Sequence, residues 1–228
     1  MASDSLTATV AACEVVLFDF DGPICDVFSG LPAPEVADQL SSVIAAHDAE
    51  LAAKAAATDD PIEVLRISQQ GGPALLASVE KELIAAELSA VAVAGDPVEG
   101  AVDALRAACE SGREVVAVSN NSAECVREFL GSHGLLDLVR DVVGRPKGRP
   151  DLMKPDPYPI SEAIRALAAV PARCVLVGDS VTDVEASHAA NTMAIGFANK
   201  PGKAAALSAA GAGAVITNMR ALAEALRE

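Results

Sequence analysis

The 228-residue chain has no tryptophan, and aromatic residues make up only 3% of it. Hydrophobic residues nevertheless reach 51%, so the interior must be built from alanine, valine, leucine and isoleucine. Basic residues are also scarce, because 17 lysines and arginines face 32 aspartates and glutamates, for a formal net charge of −15. Such a charge opposes binding to polyanions, so nucleic acid is not expected as a partner. A small anionic substrate is compatible with it, since a site can gather a cation locally.

Long apolar runs and paired cysteines are missing as well. No stretch approaches the roughly 18 uninterrupted apolar residues of a membrane span, and the N-terminus lacks a cationic region before an apolar one. The cysteines form no CxxC pair and have no histidine at zinc-ligand spacing, so we expect small buried side chains. An odd number of cysteines favours a reducing compartment. We therefore expect a cytoplasmic protein with no membrane partner. The five cysteines are Cys13, Cys25, Cys109, Cys125 and Cys174.

Short apolar runs recur along the chain, and polar residues or glycine follow each of them. Such runs fit strands that are buried on both faces of a parallel sheet. Because segments of helical length separate them, the sequence predicts an α/β fold with right-handed crossovers. The predicted strands are Glu14–Phe20, Glu114–Ser119, Cys174–Gly178, Met193–Phe197 and Ala214–Thr217.

Helices are predicted between these strands from their terminal residues. Val98–Ser111 ends at Gly112 and Ser122–His133 ends at Gly134, as expected for glycine just beyond a helix. Pro157–Ala169 follows Asp156, which is a suitable N-cap residue. The predicted architecture is a Rossmann-like three-layer α/β/α core around a parallel central sheet.

The interval from residue 23 to residue 95 interrupts this alternation of strands and helices. It is rich in alanine, leucine and glutamate, and it contains no convincing strand. We interpret 23–95 as a helical cap domain inserted after the first strand, with 1–22 and 96–228 as the catalytic core. Within the cap, helical stretches are predicted near Pro34–Ala57, Pro61–Gln70 and Pro73–Ala92.

Polar residues close several of the predicted strands, where they can converge in space. In an open parallel sheet, ligands bind beyond the carboxyl ends of the strands. Two carboxylates, a hydroxyl, an isolated lysine and a further aspartate pair would together supply what phosphoryl transfer needs. These residues are Asp19, Asp21, Ser119, Asn120, Lys154, Asp179 and Asp183.

Four motifs in order give the sequence a family resemblance that spans nearly the whole chain outside the cap. They are Phe18–Gly22 (FDFDG), Ser119-Asn120, Lys154–Asp156 (KPD) and Gly178–Asp183 (GDSVTD). This set resembles the haloacid dehalogenase-like hydrolases, and within them the capped, phosphoglycolate phosphatase-like branch. The resemblance implies that Asp19 is the nucleophile and that Asp21 is the general acid and base.

The resemblance also implies Mg²⁺ as cofactor, because a carboxylate and a phosphate dianion must approach each other. The metal ligands would be the Asp19 carboxylate, the Asp21 main-chain carbonyl and Asp179. Asp183 would bind the metal directly or orient a metal-bound water. Lys154 would neutralise charge on the phosphoryl group and hold the nucleophile.

The same resemblance implies substrate contacts. Gly22, Ser119 and Asn120 would contact the phosphate, with help from main-chain N–H groups where the next helix begins. Five polar residues of the cap are further candidates for contacts with the leaving group. These are Lys54, Arg66, Gln69, Gln70 and Lys81.

The predicted function is Mg²⁺-dependent hydrolysis of a small phosphomonoester, through an aspartyl-phosphate, with a phosphorylated metabolite as partner. Dehalogenation is disfavoured, because Asp21 suits protonation of an alkoxide. Three alternatives stay open: a phosphosugar mutase, a phosphonate hydrolase that uses Lys54 or Lys81 as a Schiff base, and a non-catalytic binding protein of the same fold. The sequence leaves the oligomeric state unknown.

Overall fold

The structure, a computed structural model, describes residues 2–228. Its centre is one six-stranded sheet in which all neighbouring strands are parallel. The strands are β1 (Val15–Phe18), β2 (Glu114–Val118), β3 (Asp141–Val143), β4 (Cys174–Gly178), β5 (Met193–Phe197) and β6 (Ala214–Ile216). The order across the sheet is β3-β2-β1-β4-β5-β6. The chain therefore builds outward on one side of β1 and then on the other, which opens a crevice at the carboxyl ends of β1 and β4.

All five strands predicted from the sequence are present, and β3 is an additional one. Strand β1 is shorter than predicted, since it ends at Phe18 and leaves Asp19 just beyond it. The missed strand, Asp141–Val143, has only three residues, begins with an exposed aspartate and lies at the edge of the sheet. It is too short and too polar at its start to be recognised as an apolar run.

Eleven α-helices lie within residues 2–228. They are α1 (Ala2–Ala11), α2 (Ala33–Ala45), α3 (Ala49–Ala55), α4 (Pro61–Ser68), α5 (Pro73–Val91), α6 (Ala101–Glu110), α7 (Ala123–Ser132), α8 (Tyr158–Ala166), α9 (Val181–Ala189), α10 (Lys203–Ala209) and α11 (Met219–Arg227).

Alternation along β1 produces the three layers. Val16 and Phe18 pack in a large apolar cluster with residues of α1, α6, α7 and α11. Val15 and Leu17 face the opposite layer, which contains residues of α8 and α9. Since successive side chains of a strand point to opposite faces, a fully apolar strand is what a doubly covered sheet requires. The predicted α/β/α core is thus confirmed.

The ends of several helices follow from capping residues. Ser122 caps α7, where its hydroxyl accepts a hydrogen bond from the amide of Cys125 at 3.3 Å. Asp156 accepts from the amide of Tyr158 at 2.8 Å at the start of α8. The stretch predicted near Pro34–Ala57 is divided, because Asp48 caps α3 and accepts from the amide of Leu51.

Helices α2 to α5 form the insertion between β1 and α6. They share an apolar cluster of their own, to which Val36, Leu40, Leu65 and Leu83 belong. The end of α5 differs, because Ala90 and Val91 pack in the large cluster of the sheet. None of the helices in residues 2–228 is both long and apolar enough to cross a membrane.

Candidate active site

A cavity of about 400 Å³ lies beyond the carboxyl ends of β1, β2 and β4. The sheet and its loops form its floor, and the insertion forms its opposite wall. The floor is lined by Asp19, Asp21, Ser119, Asn120, Asn121, Lys154, Asp179, Ser180, Thr182 and Asp183. The opposite wall is lined by Phe28, Ala33, Asp59, Asp60, Pro61, Ile62 and Arg66. The structure therefore brings together the site residues predicted outside the insertion, except Gly22, and one of the five candidates predicted within it, Arg66.

Lys154 is the buried cation at the centre of this floor. Its ammonium lies 2.8 Å from Oδ1 of Asp19 and 2.6 Å from Oδ1 of Asp183, and only 2% of its side chain is exposed. Burial alone would lower the pKa of Lys154, but Asp183 and Asp19 outweigh it and the net pKa is raised. The lysine therefore stays protonated at neutral pH.

Asp19 follows β1 directly and is held by its surroundings. Its own amide donates to Val177 of β4, and its Oδ1 accepts from the amide of Phe20 at 2.7 Å. Burial raises the pKa of Asp19 well above its usual range, and the neighbouring carboxylates of Asp183 and Asp179 raise it further. Lys154 opposes this shift. The ionised form of this carboxylate thus depends on nearby positive charge.

Asp21 has a different environment from Asp19. Its Oδ1 accepts from the amide of Val27 at 3.0 Å, which fixes the carboxylate near the exit to the insertion. The pKa of Asp21 is raised to about 6. Burial is the main cause, the hydrogen bond from the Val27 amide opposes it, and Asp179 adds to the increase. A carboxyl with a pKa near neutrality can both donate and accept a proton, as general acid and base catalysis requires.

Three carboxylates form a cluster that could hold a metal ion. Each of Asp19, Asp179 and Asp183 offers an oxygen, and these oxygens lie within 4.8 Å of one another. Hard oxygen donors in such proximity suit Mg²⁺. Asp179 also forms an ion pair with Lys203, and its Oδ2 accepts from Asn199 Nδ2 at 2.9 Å. The donor set therefore fits a divalent cation. The ammonium of Lys203 already pairs with one of the three carboxylates, that of Asp179.

Asp183 lies at the metal cluster and also takes part in the cap of helix α9. Its Oδ2 accepts from the amide and the hydroxyl of Ser180, which completes a capping box at the start of α9. Its Oδ1 faces Lys154. The capping box holds Oδ2 of Asp183 in place, and Oδ1 lies at the metal cluster. Its role, as a direct ligand or through an oriented water, stays a prediction.

Ser119 and Asn120 lie in the β2–α7 loop, which we define as residues 119–122. The side-chain amide of Asn120 is engaged with the main chain of Lys154, since its Oδ1 accepts from the lysine amide at 2.9 Å and its Nδ2 donates to the lysine carbonyl at 3.1 Å. Asn120 thus holds the lysine in place. The hydroxyl of Ser119 donates to Oδ1 of Asn121 at 3.1 Å. To contact a phosphate, this hydroxyl must exchange that bond.

Gly22 does not line the cavity. Its amide donates to the carbonyl of Cys25 at 2.7 Å, and its φ is +103°. A Cβ atom at this position would lie 2.5 Å from Cγ of Asp179. The glycine therefore allows close approach of the backbone to Asp179, in a conformation that other residues rarely adopt. Its assignment as a substrate contact stays a prediction.

Other residues of the site were not recognised in the sequence. Of the five polar cap residues considered, Arg66 is the one that lines the cavity, and it donates to the carbonyl of Lys154 at 2.8 Å. Asn199 and Lys203, which contact Asp179, were not considered. Neither were Glu87 and Arg145, which form a buried ion pair behind the β2–α7 loop. No local motif marks these four residues.

The parallel sheet, the helical insertion after its first strand and the carboxylates at its carboxyl edge define an α/β enzyme with a helical insertion. A family model described as haloacid dehalogenase-like hydrolase matches residues 13–191. The chain therefore belongs to the haloacid dehalogenase-like hydrolases, as the four motifs indicate.

Individual proteins agree with this membership. A phosphoglycolate phosphatase of Thiobacillus denitrificans is 30% identical over 97 residues, and the match spans 41% of this chain and 40% of that relative's length. The crystal structure of a HAD family hydrolase from Deinococcus radiodurans, with bound phosphate and sodium, is 28% identical with a TM-score of 0.59, and covers 94% of this chain and 97% of its own. A β-phosphoglucomutase from Clostridium difficile shares the fold at 18% identity, with a TM-score of 0.68 over 91% and 92% of the two chains.

Proposed function

We propose that the protein is a Mg²⁺-dependent phosphatase that hydrolyses a small phosphomonoester through an aspartyl-phosphate on Asp19. The observation that carries this proposal is the Asp19–Lys154 pair, at 2.8 Å, on the floor of a cavity of about 400 Å³. A carboxylate at this edge can attack phosphorus, and the buried ammonium can compensate the charge that accumulates there. The Deinococcus relative with bound phosphate supports a phosphate ligand.

Six residues of the floor have a task in this proposal. Asp19 attacks, and Asp21 protonates the departing alkoxide and later accepts a proton from the attacking water. Ser119 donates to a phosphate oxygen, and Lys154 holds Asp19 while it neutralises the phosphoryl group. When bound, Mg²⁺ supplies positive charge between the nucleophile and the phosphate. Its ligands would be Asp19, the Asp21 carbonyl and Asp179, with Asp183 one step further out.

We also propose that residues 23–95 act as a cap that selects the leaving group. Their own apolar cluster and their position over the cavity support this division. The wall that they contribute carries one cation, Arg66, and two carboxylates, Asp59 and Asp60. A small metabolite fits such a wall. We expect the enzyme to act in the cytoplasm, which the free cysteines of residues 2–228 favour.

The phosphonate alternative finds no support in the geometry of the cavity. Neither Lys54 nor Lys81 belongs to its lining within the described residues. The side chain of Lys54 is 55% exposed and lies 3.7 Å from Glu50 on the same helix. A Schiff base needs a lysine that reaches the substrate, and Lys154 is already paired with two carboxylates.

The test is phosphate release from a panel of phosphorylated metabolites and an aryl phosphate, with Mg²⁺ or with EDTA. Asp19→Asn is expected to abolish release, because a carboxamide is a poor nucleophile. Asp26→Asn, which changes an exposed carboxylate close in sequence, serves as the matched control and is expected to retain activity. Metal-independent release, or equal activity in Asp19→Asn, would contradict the proposal. Transfer of the phosphoryl group to a second hydroxyl of the substrate would favour a mutase instead.

A further inference from the structure

A buried ion cluster connects the insertion to the core behind the β2–α7 loop. Glu80 and Glu87 lie two turns apart on α5, and Arg145 lies just after β3. The side chains of Glu87 and Arg145 are 0% and 1% exposed, and Nη1 of the arginine lies 2.7 Å from Oε1 of Glu87. Nε of Arg145 lies 3.6 Å from Oε1 of Glu80. Buried charges of this kind weaken the fold unless every one is partnered, so their presence here requires a reason.

The partners of Glu87 show why a carboxylate stands at this position. Its Oε1 accepts from Asn121 Nδ2 at 3.3 Å, and its Oε2 accepts from the amide of Ser122 at 3.0 Å. Arg145 donates to both oxygens, at 2.7 and 3.4 Å. All of these partners are donors. A carboxylate accepts from all of them, whereas a glutamine would turn an N–H₂ group towards one.

Glu87 in this way sets the orientation of the side chains that face the cavity. Because Nδ2 of Asn121 donates to Glu87, its Oδ1 points to Ser119 and accepts the hydroxyl proton at 3.1 Å. Arg145 holds the same loop. Its Nη1 donates to the carbonyl of Asn120 at 2.9 Å, and its main-chain amide donates to the carbonyl of Asn121 at 2.8 Å.

We propose that Glu87 is a positioning residue for phosphate binding: from helix α5 of the insertion, it holds the β2–α7 loop in the conformation that presents Ser119 to a phosphate. The inference rests on the proposed function, because it assumes that phosphate binds over this loop. It goes further, since it makes a helix of the insertion part of the phosphate site. Glu87 acts without touching the substrate, through Asn121 and the amide of Ser122.

Two variants and one control test the proposal. Glu87→Gln replaces one carboxylate oxygen by an N–H₂ donor, and Glu87→Asp keeps the charge for Arg145 but shortens the side chain that reaches the loop. Glu80→Gln is the matched control, because Glu80 contacts the same arginine and the amide of Gly148 but not the loop. For each protein we would measure the inhibition constant of inorganic phosphate against an aryl phosphate, the Mg²⁺ affinity by calorimetry and the midpoint of thermal unfolding.

We expect the inhibition constant of phosphate to rise about tenfold in Glu87→Gln and in Glu87→Asp, with Mg²⁺ affinity unchanged. Glu80→Gln is expected to lose thermal stability and to keep the wild-type constant within about twofold. An equal rise in Glu87→Gln and Glu80→Gln, or no rise in either test variant, would overturn the inference. If Glu87→Gln does not fold, Glu87→Asp decides alone. A folded wild-type protein that neither hydrolyses esters nor binds phosphate would instead refute the proposed function.

Discussion

Replacement of Lys154 by methionine removes the buried ammonium and leaves the carboxylates around it unpaired. The lysine is 2% exposed and contacts Asp19 at 2.8 Å and Asp183 at 2.6 Å, and Asp179 lies in the same cluster. Breaking a buried pair by removal of one partner costs about 3–5 kcal/mol. We expect a loss of this size in the free energy of unfolding of Lys154→Met, measured with EDTA at pH 8.

The loss is expected to depend on pH in a defined direction. Burial and Asp183 already raise the pKa of Asp19, and loss of the lysine raises it further. A carboxyl whose pKa is raised in the folded state favours folding most when it is protonated, below its unfolded value of about 4. That contribution disappears as the pH rises through the folded-state pKa. The deficit of Lys154→Met should therefore be small at low pH and largest at pH 8.

Urea unfolding followed by circular dichroism measures this deficit, since the chain has no tryptophan for fluorescence. Lys147→Met is the matched control, because Lys147 is exposed and lies in the same segment before the helix of Tyr158. A surface replacement of this kind changes stability by less than about 0.5 kcal/mol. A deficit below about 1 kcal/mol in Lys154→Met at pH 8, or one that does not vary with pH, would refute the reasoning.

Three further predictions follow from the site. Burial raises the pKa of Asp21 to about 6, so the rate of hydrolysis of an alkyl phosphate should fall as the pH rises above that value. Asp21→Asn should remove this limb of the pH–rate profile. It should slow the hydrolysis of alkyl esters about a hundredfold and that of aryl esters much less. Arg66→Met should raise KM about tenfold for esters with a carboxylate in the leaving group, and leave KM for uncharged leaving groups unchanged in the same assay. Lys203→Met should tighten Mg²⁺ binding up to about fivefold in calorimetry, because the metal no longer shares Asp179 with an ammonium; weaker binding would contradict this.

The sequence predicted most of the sheet because the strands are encoded locally. A strand buried on both faces must be apolar, and β1 and β4 are apolar throughout, as β2 is after its exposed first residue, Glu114. Helix α1 and strand β3 were not predicted. The first residues of the chain have no amphipathic spacing or capping signal that stands out, and β3 owes its existence to pairing with β2 rather than to its own three residues.

The residues of the site likewise fall into those that the sequence reveals and those that it does not. Asp19, Ser119 and Asp179 follow strand ends, so the sheet itself carries them to one edge, and a linear pattern suffices to find them. Glu87 lies in the apolar helix α5 and Lys203 begins the short helix α10, and neither residue follows a strand end or belongs to a motif. Glu87 becomes buried because the end of α5 packs against the core, and no property of the α5 sequence fixes that placement.

The insertion contacts the core through α5 and through α4, and the two contacts differ in strength. This difference bears on how a substrate enters the cavity. Separation of α5 from the core would break the buried Glu87–Arg145 pair and the hydrogen bonds of Glu87 to the side chain of Asn121 and the amide of Ser122. On the other side of the cavity, Arg66 makes one hydrogen bond to the carbonyl of Lys154 from a partly exposed side chain, a contact worth about 1 kcal/mol. Opening the cavity on the α4 side therefore breaks fewer polar contacts than opening it on the α5 side. Because the same α5 holds the β2–α7 loop, an opening on the α4 side would leave Ser119 in place.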